Sequence, residues 1–191
     1  MRLFVAVEAG EEVCGAVAGA QSELGRAGAD VNWTGAGKAH VTLKFLGETD
    51  GAMVPAILGA CRRIAGSACG GEVELAEAGT FGGGTPRVVW IGLRDRPGVL
   101  ARLAAAAEDA FAALGFARES RPFRAHLTIG RVRSSRGARA LLQAVARLAV
   151  QPARFPVRSI ALVHSTLAPG GSAYEILERL ALRPPDDPPT S

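Results

Sequence analysis

The chain has 191 residues, 48% hydrophobic and 21% charged, with a formal net charge of +4. That balance excludes a wholly disordered chain, which would be poorer in apolar residues and richer in net charge. The length suits one domain, or two small lobes around one core, and no apolar run approaches the ~20 residues of a membrane-spanning helix.

Residues 2–8 read as a first strand rather than a signal peptide, because acids follow the apolar stretch directly with no small-residue cleavage site. Helical periodicity then covers 11–24, with Val13, Val17, Ala20 and Leu24 on one face and Gly25 placed to stop the helix. A strand is expected over 39–46, and a second helix over 52–65 through Val54, Ile57, Leu58, Cys61 and Ile64. Strands at 72–79 and 87–93 flank the loop Gly82-Gly83-Gly84-Thr85-Pro86. The third helix spans 98–114, through Leu100, Leu103, Ala107, Phe111 and Leu114, with Gly115 after it. A strand at 123–132 precedes a fourth helix at 136–149, carrying Leu141, Leu142, Val145 and Leu148. The last strands are 156–164 and 173–181. Mixed strands and helices with hairpin-like neighbours point to an α+β fold. No linker separates two domains, so 1–183 read as one unit, and the proline-rich 184–191 as a disordered tail.

Seven arginines (118, 121, 124, 131, 133, 136 and 139) against the single acid Glu119 make 118–139 a basic stretch, suited to an anionic partner. Cys14, Cys61 and Cys69 are odd in number and include no CxxC pair, which suits free thiols in a reducing cytoplasm.

The chemistry sits in an internal echo. His40-Val41-Thr42-Leu43 and His126-Leu127-Thr128-Ile129 lie 86 residues apart, each on a strand with a helix soon after. Side chains alternate along a strand. His40, Thr42 and Lys44 are therefore expected on one face, with Val41, Leu43 and Phe45 on the core side. His126 and Thr128 share a face in the second copy. Imidazole titrates closest to neutral pH, so two facing histidines can serve as acid and base, while hydroxyls and nearby cations hold an anion. That suits a phosphodiester and needs no metal. A zinc site is the weaker reading, since the three histidines are far apart in sequence and lack neighbouring carboxylates or cysteines at ligand spacing. His164-Ser165-Thr166 is a third His-x-Thr, but it runs into a Pro-Gly-Gly turn and reads as structural.

At these motifs the sequence resembles the RNA 2′,3′-cyclic phosphodiesterases, historically called 2′-5′ RNA ligases, of the two-histidine phosphoesterase superfamily. The opening Arg-Leu-Phe-Val-Ala-Val-Glu, the His40–Glu48 motif, residues 86–93, residues 121–132, and Ser165, Leu167, Gly170 and Tyr174 carry the resemblance, over about 1–182. It implies a bilobal α+β fold, with two antiparallel sheets related by a pseudo-two-fold around a central groove and helices outside. It also implies hydrolysis of a terminal 2′,3′-cyclic phosphate to a 2′-phosphomonoester, reversible as ligation. His40 would be the proton donor and His126 the proton acceptor. Thr42 and Thr128 would hold the nonbridging oxygens, Arg131 would add a phosphate contact with Lys44 beside it, and Phe45 or Trp33 would stack a base. No cofactor, metal, membrane or obligate protein partner is implied. RNA ends or nucleotides bearing the cyclic phosphate are the expected partners of a cytoplasmic monomer. The competing readings are a nucleotide or RNA-end binding module without turnover, and a phosphodiesterase for a small cyclic nucleotide or ADP-ribose cyclic phosphate. Ala125, Gly130 and His164 depart from the family pattern, and the first two are expected to loosen the second motif strand.

Overall fold

The computed structural model describes residues 1–168 and 171–185. Pro169 and Gly170 of the expected turn, and 186–191 of the expected tail, lie outside the described residues. The chain runs β1 (Arg2–Glu8), α1 (Cys14–Gly25), β2 (Val31–Trp33), β3 (His40–Glu48), α2 (Val54–Ser67), β4 (Gly71–Phe81) and β5 (Val88–Arg94). It continues through α3 (Val99–Ala112), β6 (His126–Val132), α4 (Ala138–Arg147), β7 (Arg154–Val157), β8 (Ser159–Ala168) and β9 (Gly171–Ala181). No helix among the described residues is long and apolar enough to cross a membrane.

Two antiparallel sheets result, ordered β3-β1-β8-β9 and β2-β6-β5-β4-β7. Their connectivity repeats. β1-α1-β3-α2 is followed by β4, which pairs with β5; β5-α3-β6-α4 leads on to β8, which pairs with β1. Each half thus sends a strand into the other's sheet. Leu3, Val5 and Val7 of one sheet share a continuous buried cluster with Leu127, Ile129 and Phe155 of the other, sealed by Leu24, Ile57, Phe111 and Leu141 from the four helices. At ~25 cal/mol per Å² of apolar surface buried, this shared core is the main term opposing independent motion of the two halves.

The helices fall where periodicity places them, with ends set by local chemistry. Asp95 accepts N–H bonds from Val99, Leu100 and Ala101 at 2.8, 2.9 and 3.1 Å and so caps α3. Gly115 ends the same helix at φ 90°, and the Phe116 N–H closes back on the Phe111 carbonyl at 3.0 Å. Gly25 does not stop α1; the helix includes it, and the left-handed residue is Gly28, at φ 66°.

Two strand expectations change, and one strand is unexpected. Residues 156–164 are not one strand. The chain leaves one sheet after Val157 and enters the other at Ser159, with Pro156 tolerated because β7 is an edge strand. The strand expected from 123 begins only at His126, leaving 117–125 as irregular chain beside the groove. β2 escapes detection because three residues are too short to display alternation.

Both motif strands also carry a bulge at the same place. Opposite β1, Thr42 pairs with Ala6 and Lys44 with Val5, so Leu43 is extra; opposite β5, Thr128 pairs with Trp90 and Gly130 with Val89, so Ile129 is extra. One extra residue reverses every side chain beyond it. The expected faces of Lys44 and Phe45 are therefore exchanged. Phe45, expected in the core, is 42% exposed, while Lys44 is only 2% exposed.

The buried Lys44 ammonium donates to Glu108 of α3 at 2.9 Å and to the Ala117 carbonyl at 2.6 Å. Glu108 also accepts the Glu119 N–H at 3.1 Å, so this ion pair ties β3 to α3 and to the start of 117–125. Removing one member of a buried pair strands the other. Lys44→Met is expected to cost about 3 kcal/mol of unfolding free energy in urea titration, and Glu108→Gln less, because Gln retains a side-chain acceptor. A Lys44→Met protein of wild-type stability would contradict this.

Candidate active site

β3 and β6 belong to different sheets yet lie against each other across the groove. The two motif histidines stand at corresponding ends, His40 opposite Glu8 and His126 opposite Gly92. Each is fixed by the same device. His40 Nδ1 lies 3.0 Å from the Lys38 carbonyl, and His126 Nδ1 lies 2.7 Å from the Arg124 carbonyl. A carbonyl only accepts, so each Nδ1 carries the proton, and each Nε2 is left to take or give one.

Aromatic rings fix the ring planes. Phe4 stacks on His40 at 5.1 Å between centroids, and Tyr174 meets it edge-on at 5.1 Å. Phe81 and Trp90 contact His126 edge-on at 5.0 and 6.4 Å. Trp90 requires Gly79 on the neighbouring strand: a Cβ there would fall 2.2 Å from the indole. The indole Nε1 is buried without a partner among the described residues. Sequence reading overlooked these supports. A glycine inside the long strand β4, beside a tryptophan on β5, was the available signal.

Burial pushes both imidazoles below the ordinary histidine value of 6.5. The carbonyl contacts oppose this. For His40 the positive charges of Arg131 and His126 lower the value further, and for His126 that of Arg124 does. The influence of His126 and Arg131 on His40 marks one electrostatic site fed by both strands.

Thr42 and Thr128 are half-buried on the histidine face, and neither hydroxyl has a hydrogen-bond partner among the described residues. The bulge after Thr128 turns the exposed Arg131 onto that face, and Arg131 makes no ion pair with a described residue. The matching bulge places Phe45 there on β3, with Arg2 4.9 Å above its ring. Lys44 does not share the His40 face as expected: the bulge moves it to the other side, where its ammonium pairs with Glu108 on the wall of the cavity that Thr42 and His126 also line. Trp33 also departs from expectation. It pairs with Gly130 and packs on the core side, away from the histidines.

Gly130 does not loosen its strand. A Cβ there would lie 2.7 Å from Val31 and 2.8 Å from Trp33, so glycine admits β2. The bulge carbonyl of Ile129 accepts from Gln21 at 2.9 Å and from the Thr34 N–H at 3.0 Å. Ala125 is held by its carbonyl, which accepts the Leu93 N–H at 3.2 Å. His164 lies on the opposite face of its sheet, 3.6 Å from Glu175, and takes no part in the pair.

Two cavities flank the histidines. One of about 1150 Å³ begins at His126 and Thr42 and extends under 119–124 to Thr85 and Arg87. The other, about 620 Å³, is lined by His40 and includes Glu8, Glu11 and Tyr174. Among the described residues, no three His, Cys, Asp or Glu side chains form a group able to hold a metal ion.

The family model of the 2′-5′ RNA ligase superfamily matches residues 13–168. An RNA 2′,3′-cyclic phosphodiesterase of Methanocaldococcus jannaschii is 30% identical over 180 residues, covering 93% of this chain and 99% of its own. One of Thermus thermophilus is 34% identical over 194 residues, covering 96% and 91%. The crystal structure of a Thermus thermophilus protein superposes with a TM-score of 0.78 at 29% identity, over 96% of this chain and 99% of that one. The α+β architecture of two sheets around a groove is thus the one these relatives share, and the chain belongs to the 2′-5′ RNA ligase superfamily.

Proposed function

We propose that this protein is an RNA 2′,3′-cyclic phosphodiesterase that opens a terminal 2′,3′-cyclic phosphate to a 2′-phosphomonoester. The observation that carries the reading is the matched pair of imidazoles: both Nδ1 atoms are tied to carbonyls two residues back, leaving both Nε2 atoms for proton transfer. The names of the relatives supply the substrate class.

In this mechanism neutral His126 takes a proton from water through Nε2 as the water oxygen attacks phosphorus. Protonated His40 gives its Nε2 proton to O3′ as the P–O3′ bond breaks. The product keeps the P–O2′ bond, and the protons balance, with His126 charged and His40 neutral at the end. Thr42, Thr128 and Arg131 bind the nonbridging oxygens where negative charge grows. Phe45 flanks the site as an apolar surface. Lys44 supports it from behind by holding α3. No step requires a metal ion. Run backwards with a ribose hydroxyl in place of water, the same groups would form a phosphodiester. The reading also takes 1–183 as one unit, working as a monomer in the cytoplasm without an obligate protein partner.

A binding module would not need two fixed, oppositely used imidazoles, which favours turnover over retention. The decisive experiment offers a short RNA ending in 2′,3′-cyclic phosphate, in EDTA, to the wild type and to His40→Ala and His126→Ala. The wild type is expected to release the 2′-phosphate, and each variant to lose about 10²–10⁴-fold in kcat with its fold intact. Tight binding of the RNA without turnover would return the binding module, and activity lost in EDTA and restored by zinc would return the metal reading.

The pH dependence carries its own sign. Both folded values lie below 6.5, so at neutral pH the base is ready but the acid is mostly deprotonated. The kcat/KM profile is expected to be a bell centred below 6.5, falling at higher pH as His40 loses its proton and at lower pH as His126 gains one. Removing the charge with Arg131→Gln should shift the alkaline limb upward, besides lowering the maximum. An alkaline limb that stays in place would detach Arg131 from His40.

A further inference from the structure

Phe45 and Phe123, at 42% and 37% exposed, are two of the three large hydrophobic side chains left exposed among the described residues. Both open onto the larger cavity. Arginines alternate with them. Arg87, Arg121 and Arg124 line the same space, and Arg87 and Arg121 have no ion pair among the described residues. Arg124 lies over the Trp90 ring at 4.6 Å, near Glu77 at 4.0 Å. Of the two acids on the wall, Glu108 is neutralised by Lys44, leaving Glu119. At about 1150 Å³ the space exceeds the ~300–1000 Å³ of a small-molecule site. The cavity on the His40 side is smaller and offers no comparable row of arginines: among the residues that line it, Lys38 is the one cation, Glu8 is paired with Arg179, and Glu11 has no ion pair among the described residues.

We propose that the nucleotides upstream of the cyclic phosphate lie in this larger cavity, with single-stranded RNA entering over the His126 side. This rests on the phosphodiesterase reading and adds the preferred substrate: an oligoribonucleotide rather than a mononucleotide. Bases stack on aromatic faces whatever their identity, and free arginines neutralise the phosphates between them. Phe123 offers such a face to an upstream base, Arg121 and Arg87 meet the backbone, and the Lys44–Glu108 pair fixes the start of the segment that carries Phe123. The expected sequence preference is therefore weak and the expected length preference strong.

The experiment compares adenosine 2′,3′-cyclic phosphate with a hexanucleotide ending in the same group. It measures kcat/KM for wild type, Phe123→Ala and Arg121→Gln, over a range of salt concentrations. Wild type is expected to prefer the hexanucleotide by about tenfold or more, and Phe123→Ala to reduce that preference by about tenfold, the contribution of one stacked base. Arg121→Gln should lower the slope of log kcat/KM against log salt by about 0.7 for the hexanucleotide. Because each variant's mononucleotide rate is its own reference, a folding defect does not imitate the effect. Hydrolysis of both substrates with equal efficiency, or a preference untouched in both variants, overturns the docking proposal alone. Hydrolysis of neither overturns the phosphodiesterase reading and the docking with it.

Discussion

The paired bulges at Leu43 and Ile129 are the constraint on which the site depends. An extended strand would have alternated strictly. Lys44 would then have joined His40 and Thr42, and Phe45 would have gone into the core. One extra residue in each strand reverses that order, and it does so immediately after the threonine. His and Thr keep their face; the residue three beyond Thr joins them. On β6 that residue is Arg131, a cation without an ion pair among the described residues, and on β3 it is the aromatic Phe45. A symmetric acid–base pair thus acquires an asymmetric surround.

The residues displaced inward by the bulges differ as well. Lys44 is buried, and its charge is met by Glu108 and a carbonyl. Burial of an ammonium is tolerated only with such partners. The pair therefore anchors α3 and the 117–125 segment to the motif strand. At the matching position Gly130 has no side chain, and β2 fills the space with Val31 and Trp33. One half closes its bulge with an ion pair, the other with an added strand. The ion pair leaves a cavity wall made of irregular chain; the strand leaves a covered edge.

The histidines depend on equally local support. Their Nδ1 atoms are held by Lys38 and Arg124, carbonyls just outside the strand starts, where the chain is not consumed by sheet pairing. Rings from other strands, Phe4 and Tyr174 on one side and Phe81 with Trp90 on the other, keep them in plane and partly dry. That dryness is what pushes both values down. Exchange of β4 and β8 between the halves ties the sheets together, and Val41 and Leu43 behind His40 share one buried core with Leu127 and Ile129 behind His126.

The sequence by itself determined the four helices, whose 3.6-residue periodicity is local, and the two His-x-Thr motifs, whose residues lie before the bulges and obey simple alternation. It also marked Arg131, through the basic stretch and the family resemblance. The tertiary structure alone decided the facing of Lys44 and Phe45, because a bulge is defined by the partner strand and leaves no trace in a one-strand pattern. It decided that Trp33 packs inward and that Gly130 is required, since both follow from β2, too short to announce itself. It decided the split after Val157, where neighbouring segments pair with strands far earlier in the chain, Gly71 for Val157 and Ala6 for Ala161. Local pattern encodes which side chains can do chemistry; contacts between distant strands decide which of them meet.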